Sequence, residues 1–557
     1  SYYTPEVLTK ALVQQALKEL LKDKTADELL SLTICEPAMG SAAFLNEGVN
    51  QLAEAYLERK QKELSTRIPH EDYSAELQRV RMYIADHNTY GVDLNPVAVE
   101  LAEISLWLNA IQPGQQVPWF GYQLFNGNSL VGARREVHDT ARLTKQGKDN
   151  LWFSHAPKTV KASGDRLPSE IYHFLLPDPG MAAYKDKVAK SLRPEAFKQL
   201  SAWNKTFNEP FSQAQLKVLQ TLSNKIDSLW DEHTTQLRQD RNRTEDQLTV
   251  WPVQAGGNAG SDHSSTSQKD IIRSSGIFNT NSKHASSYRR LKMVMDYWCA
   301  LWFWPTNEAE DLPTRDEFIM EIGLLIHGQV LDTQTTQSFV APKQENLWDS
   351  GATVSANTTE LHQPSLNIAG SQDEMAFGAD ESQSNLHDHK GQLNIEKLFE
   401  YFPRLKRVHE LAEQHKFFHW ELTFADIFYG RDEGGFDLIL GNPPWLKVEW
   451  QEAGILGDSN PLFNLRKLSA SQLAAQRQQA FEDYPQLETQ WFAECEGTEA
   501  TQNFLNAMQN YPLLKGSQTN LFKCFLPVAW RVSSKQGVSG FLHPEGVYDD
   551  PKGGRLR

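Results

Sequence analysis

The sequence predicts an α/β fold: a parallel sheet with helices packed on it, interrupted by a long and largely helical insertion. Three observations carry that expectation. Short apolar runs at Leu32–Cys35, Tyr90–Asp93 and Leu124–Phe125 each stop at small, acidic or amide residues and lead into a helix or a loop. Strands that alternate with helices imply parallel pairing, because a parallel neighbour needs a crossover. The pattern breaks after residue 135 and resumes near residue 418, a gap far longer than an ordinary connection.

The elements follow in order. From Glu6 to Leu21, residues Val7, Leu8, Ala11, Leu12, Ala16, Leu20 and Leu21 recur at helical spacing, with Pro5 just inside the start and Thr4 as its cap. Leu32-Thr33-Ile34-Cys35 reads as a buried strand that enters a turn at Glu36-Pro37-Ala38-Met39-Gly40-Ser41, and a helix begins at Ala43. Tyr90 to Asp93 is the next strand. A helix from Pro96 to Asn109 follows, with proline in a permitted first-turn position. Leu124-Phe125 runs into Asn126-Gly127-Asn128-Ser129 as a third strand-to-loop junction.

In the gap, Pro194 to Leu237 has helical periodicity, and the aromatic run Met293 to Pro305 predicts a buried helix. Residues 254–287 and 341–392 are rich in Ser, Asn, Gly, Gln and Asp and read as flexible. Beyond it, Phe418 to Phe424, Phe436 to Leu440 and Val538 to His543 read as strands, and Asn520 to Arg531 as a helix. The expected organisation is a first half at 1–135, an insertion at 136–417 and a second half at 418–557.

Composition excludes several classes. No run of about 18 apolar residues occurs, so no spanning helix is expected, and no signal peptide is visible at the start. The four cysteines, Cys35, Cys299, Cys495 and Cys524, are too scattered for a disulfide framework or a Cys-x-x-Cys metal site, which suits a reducing cytoplasm and predicts no metal. The net charge of −16 is awkward for a nucleic-acid binder, whose phosphate contacts need Lys and Arg. A local basic surface, or a gripping part outside these residues, would reconcile the two. The start at Ser1 without Met and the stop at Arg557 favour an excerpt of a longer protein.

In open α/β sheets, ligands bind beyond the carboxyl ends of the strands. Small residues at Ala38, Gly40, Ser41 and Ala42 let the backbone approach a ligand. Asp93 can accept hydrogen bonds from ribose hydroxyls, and the Asn128 amide can both donate to and accept from an adenine edge. The plainer readings are a tight turn, a cap for the Pro96 helix and a turn closed by Asn128. Asn442-Pro443-Pro444-Trp445 adds chemistry at a fourth strand end. Its prolines stiffen the backbone and remove two N–H donors, leaving the Asn442 side-chain oxygen and the Pro443 carbonyl as fixed acceptors for an exocyclic amine. Trp445 offers a face on which a base can stack. The plain alternative is a proline turn with a core Trp.

These residues, in this order, resemble the γ-class amino-methyltransferases of DNA, which implies a Rossmann-like class I S-adenosylmethionine-dependent methyltransferase fold. Tyr2-Tyr3-Thr4-Pro5 looks like the N-terminal cofactor motif, and Glu36 to Leu45 like the methionine-binding loop. Asp93-Leu94-Asn95-Pro96 is similar to the ribose motif, and Gly127-Asn128-Ser129-Leu130 to the adenine-ring motif. Asn442 to Trp445 resembles the catalytic motif, with Asn520-Leu521-Phe522 and Gly540 to Pro544 like the two after it. The resemblance assigns the cofactor to Tyr3, Thr4, Glu36, Ala38, Met39, Gly40, Ser41, Asp93, Leu94, Asn128, Ser129 and Asn442. It assigns catalysis to Asn442, Pro443, Pro444 and Trp445, with Trp445 and Phe522 as walls for a base; a core Phe is the plainer role for Phe522.

Three positions depart from the family: Ala42 stands where Gly is frequent, Asn128 where Asp is, and Trp445 where Tyr is commoner. The implied activity is methyl transfer to the N6 amine of a flipped adenine in double-stranded DNA. The long insertion is similar to the large single-chain methylases of restriction-modification and phage-defence systems, including BREX and DISARM types, which implies helicase or nuclease partners. Cytosine N4, RNA and protein glutamine are the alternative substrates, and a non-catalytic cofactor- or DNA-binding subunit is the alternative class. The Arg404, Lys406 and Arg407 cluster could touch phosphate or form a solvated helix face.

Overall fold

The computed structural model describes residues 4–111, 117–144, 151–160, 166–252, 265–278, 285–327, 386, 393–429, 434–459, 470–551 and 553–556. The first helix, Glu6–Leu20, turns Val13, Ala16, Leu17 and Leu20 inward and leaves Val7 and Leu8 exposed. Its N-cap is Pro5, and no side chain caps it, so Thr4 is free for another role. Strand β1 (Ile34–Glu36) leads into the helix Ala43–Leu64, and β2 (Thr89–Asp93) into the helix Pro96–Ala110. That second helix is capped by Asn95, whose Oδ1 accepts from Val97 N at 3.0 Å, so Asp93 is not the cap. Strand β3 (Leu124–Asn126) follows. Next, β4 (Glu136–Asp139), β5 (Lys158–Thr159) and β6 (Glu170–Tyr172) form a small antiparallel sheet that the helical expectation for this stretch did not include. Strands β7 (Phe436–Gly441) and β8 (Ser533–Phe541) come last.

Five of these strands form one parallel sheet in the order β3-β2-β1-β7-β8. Cys35 lies beside Tyr90 on one side and Ile439 on the other, and Gly441 is in register with Phe541. This is a Rossmann-like α/β architecture. The sheet is apolar on both faces, as expected where both are covered. Alternate residues along each strand divide the core. Ile34, Leu124, Leu438 and Leu440 pack with the helices of residues 6–110. Cys35, Tyr90, Val92, Phe436 and Ile439 pack with residues drawn largely from 130–428. The insertion thus forms the second layer over the sheet.

That layer is built from long helices, including Pro194–Phe207, Gln213–Thr244, Ser287–Ala300, Arg315–His327 and Pro403–His415. Tyr297, Trp298, Trp302 and Trp304 are fully buried at its centre. The aromatic run is helical to Ala300 and leaves the helix before Pro305. Lys292 Nζ reaches Asp296 Oδ2 at 2.7 Å, and Asp296 Oδ1 lies 3.0 Å from His419 Nε2. Arg404 pairs with Glu321 at 2.6 Å and Arg407 with Glu308 at 2.6 Å. Both arginines are committed to partners in the fold, whereas Lys406 is exposed, so the cluster is in part a solvated helix face.

Two further expectations are corrected. Phe418 to Phe424 is not a strand: Trp420–Thr423 is a short helix, and pairing is confined to a bridge between Asn128 and Phe417. A short apolar run carries no periodicity that separates the two states. Within 254–287 lies a helix, Thr266–Ser275, started by a capping box in which Ser265 and Gln268 bond reciprocally. Except for Leu386, the other flexible stretch, 341–392, lies outside the described residues. No described helix is long and apolar enough to cross a membrane.

Candidate active site

Parallel strands bring all their carboxyl ends to one edge. The chain runs outward from β1 through β2 to β3, then returns to the other side of β1 with β7. The switch point lies between β1 and β7, where an open α/β sheet leaves a crevice for a ligand. The loop after Glu36 borders it on one side and Asn442 on the other.

The first loop is tied from below and open above. Met39 N donates to Val92 O at 3.2 Å, and Gly40 N to Asp93 Oδ2 at 2.9 Å. Gly40 has φ +53°, and a Cβ placed there would meet nothing within 4 Å. Ala42 keeps the left-handed conformation that Gly would adopt freely, at φ +63° and ψ 34°. Holding an alanine in this conformation costs about 1–2 kcal/mol. Ala38 is half-buried and Ser41 exposed, whereas Met39 is buried against Gly91.

Two carboxyl groups flank this loop. Asp93 Oδ1 accepts from Asn95 N at 2.8 Å while its Oδ2 holds Gly40. Glu36 is buried and accepts from Leu45 N at 3.3 Å. Burial pushes its pKa well above the ordinary carboxylate range; the bond from Leu45 opposes this, and the nearby Asp93 adds to it. Leu94 is exposed beside Asp93. In the third loop, Asn128 Oδ1 accepts from Leu130 N at 3.1 Å, closing a turn. Ser129 Oγ donates to Pro37 O at 2.6 Å, which locks the third loop to the first.

Asn442 stands across the crevice. Its Nδ2 donates to Thr4 Oγ1 at 3.1 Å, and its Oδ1 is buried with no hydrogen-bond partner. The stiff Pro443-Pro444 pair carries the chain away to Trp445, which is 54% exposed and donates its ring N–H to Leu542 O at 3.3 Å. Phe522 is buried and stacks on His543 with ring centroids 5.8 Å apart, so it takes the plainer, core role. Tyr3 lies outside the described residues.

Two features were missed in the sequence. Thr4 orients the Asn442 amide, a contact between residues 438 positions apart that no local pattern signals. A strap also braces the tetrapeptide: Leu521 N donates to Leu446 O at 2.9 Å and Val448 N to Thr519 O at 3.2 Å. Asn520, between them, does not cap its helix and leaves Oδ1 buried without a partner.

Comparison with known proteins points to restriction-modification methylases. Residues 318–473 match the Eco57I restriction-modification methylase family, a span that contains the tetrapeptide. A protein of Methanocaldococcus jannaschii, named as a type II restriction enzyme and methyltransferase, is 31% identical over 120 residues. The match covers 19% of this chain and 9% of that protein.

Proposed function

We propose that this chain is the methyl-transfer core of a restriction-modification DNA methyltransferase that uses S-adenosylmethionine to methylate the N6 amine of adenine. The observation that carries the reading is the Asn442 oxygen, buried and unpartnered at the switch point. An unmet buried acceptor costs about 1–3 kcal/mol, so its retention fits a group reserved for a donor that arrives with the substrate. The match of residues 318–473 to restriction-modification methylases supports the reaction class.

The edge of the sheet suits the cofactor on its own chemistry. S-adenosylmethionine carries ribose hydroxyls and an amino group, and the Asp93 and Glu36 carboxyls beside the open Gly40 backbone offer hydrogen-bond acceptors for such donors. When bound, it supplies an electrophilic methyl group. Thr4, Glu36, Ala38, Met39, Gly40, Ser41, Asp93, Leu94, Asn128 and Ser129 would hold it, with Tyr3 in the same role. Residues 1–135 and 418–557 are then the cofactor-binding and catalytic halves.

The chain's own residues do the positioning. Adenine has to leave the duplex to enter the crevice. Asn442 Oδ1 and the Pro443 carbonyl accept the two N–H bonds of N6, and Thr4 holds the amide so that its oxygen faces the base. Pro443 and Pro444 bring no N–H donors that would compete for those acceptors. Trp445 stacks on the extruded ring. Most of the rate gain comes from holding two reactants in line. In the cell, the reading places the protein in the cytoplasm, marking DNA beside the helicase or nuclease subunits of a defence system.

The test is Asn442→Ala. Removing a positioned hydrogen-bonding group of this kind typically costs about 10²–10³-fold in rate. Transfer to DNA should fall by that amount while the cofactor dissociation constant stays within about twofold. Transfer at the wild-type rate would refute the assignment.

A further inference from the structure

The helix Pro96–Ala110 is apolar on two opposite faces. Val99, Ala102, Leu106 and Ala110 face the core. On the other side, Val97, Leu101, Ile104 and Leu108 are exposed, with Leu94 just before the helix and Ile111 just after it. Their exposures run from 47% at Ile111 to 59% at Leu108. A helix apolar all round is normally covered on all sides, and this one is too short to span a membrane. Single exposed aliphatics are ordinary, but a contiguous stripe marks an interaction site.

The spacing indicates what covers it. Positions 97, 101, 104 and 108 are separated by four, three and four residues along the helix, the spacing of a seam by which one helix receives another, and Leu94 and Ile111 extend the apolar strip just beyond its two ends. Six half-exposed side chains offer roughly 500 Å² on this side, or on the order of 1,000 Å² with a partner, the floor for a specific interface. The rim indicates the partner's charge. Glu100 and Glu103 are the helix's only charged residues. Glu100 is exposed beside Leu101, and Asp270 lies near Glu103 with Arg273 as the local cation. Pairing of two copies would bring Glu100 and Glu103 close to a second pair of glutamates. It would also join two chains that each carry a net charge of −16.

We propose that this stripe docks a partner helix with Leu or Ile at matching heptad spacing and Lys or Arg on its flanks. Its helical residues, Val97, Leu101, Ile104 and Leu108, include none assigned to transfer, and Leu94 at its end is shared with the proposed cofactor edge. The stripe starts one residue after Asp93, so a docked helix would sit at the border of the cofactor edge.

The test uses this chain and three fluorescent synthetic peptides of equal length. One has Leu and Ile at the seam and Lys on the flanks, one has the same seam with Glu flanks, and one is a scramble of the first. Fluorescence anisotropy should give micromolar binding for the Lys-flanked peptide. Binding should be at least fivefold weaker for the Glu-flanked peptide, and absent for the scramble. The variant Leu101→Glu/Leu108→Glu should bind at least tenfold more weakly. Both side chains face solvent, near-UV circular dichroism verifies the fold, and Leu101→Ser/Leu108→Ser provides a milder second variant. Absent binding, equal affinity for the double variants or equal affinity for the scramble would overturn the proposal. So would a wild-type dimer that the double variant converts to monomer, since the occupant would then be a second copy.

Discussion

Trp298 and Trp445 put the same side chain to different uses in two regions of the molecule. Trp298, in the insertion, is fully buried and donates its ring N–H to Leu176 O at 2.8 Å. Trp445, at the edge of the sheet, is half exposed and holds Leu542 O at a longer 3.3 Å. The acceptors differ in the same way. Asp296 spends its two oxygens on Lys292 and His419, while Asn442 leaves its oxygen unmet. Trp298 and Asp296 are thus spent on the second layer over the sheet, although Trp230 and Trp302 leave their ring N–H groups unpaired in the same layer. Groups left unspent at the edge are available for a ligand.

The largest expected effect separates the two tryptophans. Trp298→Ala should cost about 3–5 kcal/mol in unfolding free energy, as for a large aromatic removed from a packed core. Trp445→Ala should change stability by no more than about 0.5 kcal/mol. It should still weaken engagement of an extruded base by about 1–3 kcal/mol, a 5- to 150-fold rise in KM for DNA. Urea titration and transfer kinetics on both variants decide the matter; equal stability losses would break the comparison.

The two regions should also respond to pH in opposite directions. Burial pushes the imidazoles of His138, His233, His327 and His415, all in the insertion, down to about 4. In an unfolded chain each titrates near about 6.5. Between those values the unfolded chain binds more protons, so the contribution of these groups to stability is lost as pH falls from about 6.5 to 4. His415 lies against Phe303 and Phe417, so His415→Phe should flatten that slope. Glu36 runs the other way. Its folded pKa is raised, so its contribution is present at low pH and lost as pH rises through the folded value. Glu36→Gln should remove that loss and raise stability at neutral pH. Denaturant unfolding across pH 4–8 reads both effects, and a Glu36→Gln profile identical to wild type would show that the carboxyl is not desolvated.

Sequence reasoning reached the sheet edge more surely than the insertion, for a physical reason. Strand ends that carry loops such as Glu36 to Ser41 and Asn442 to Trp445 are written in consecutive residues. The insertion's organisation depends on partners far apart in the chain, as between Arg404 and Glu321 or His419 and Asp296. The small β4–β6 sheet and the short helix at Trp420–Thr423 were missed because their segments are too brief to show a period. At the edge, the lapses were also of long range. Thr4 is set against Asn442 rather than capping its own helix, and Phe522 turns into the core against His543. The departure at Ala42 could be seen in the sequence, but its left-handed backbone could not.

Ala42 gives the smallest predicted effect. Ala42→Gly should relieve a left-handed alanine, but it also removes a fully buried methyl and adds entropy to the unfolded chain, so stability should change by no more than about 0.5 kcal/mol. Thermal unfolding reads it, and a loss well beyond that would mean that the buried methyl outweighs the backbone strain.

The central claim is methyl transfer to the N6 amine of adenine, and nucleoside mass spectrometry tests it most directly. Unmethylated DNA is incubated with this chain and isotopically labelled S-adenosylmethionine, then digested and analysed. The account predicts labelled N6-methyladenine, formed about 10²–10³-fold more slowly with Asn442→Ala. Labelled N4-methylcytosine, or cofactor binding with no labelled nucleoside, would contradict it.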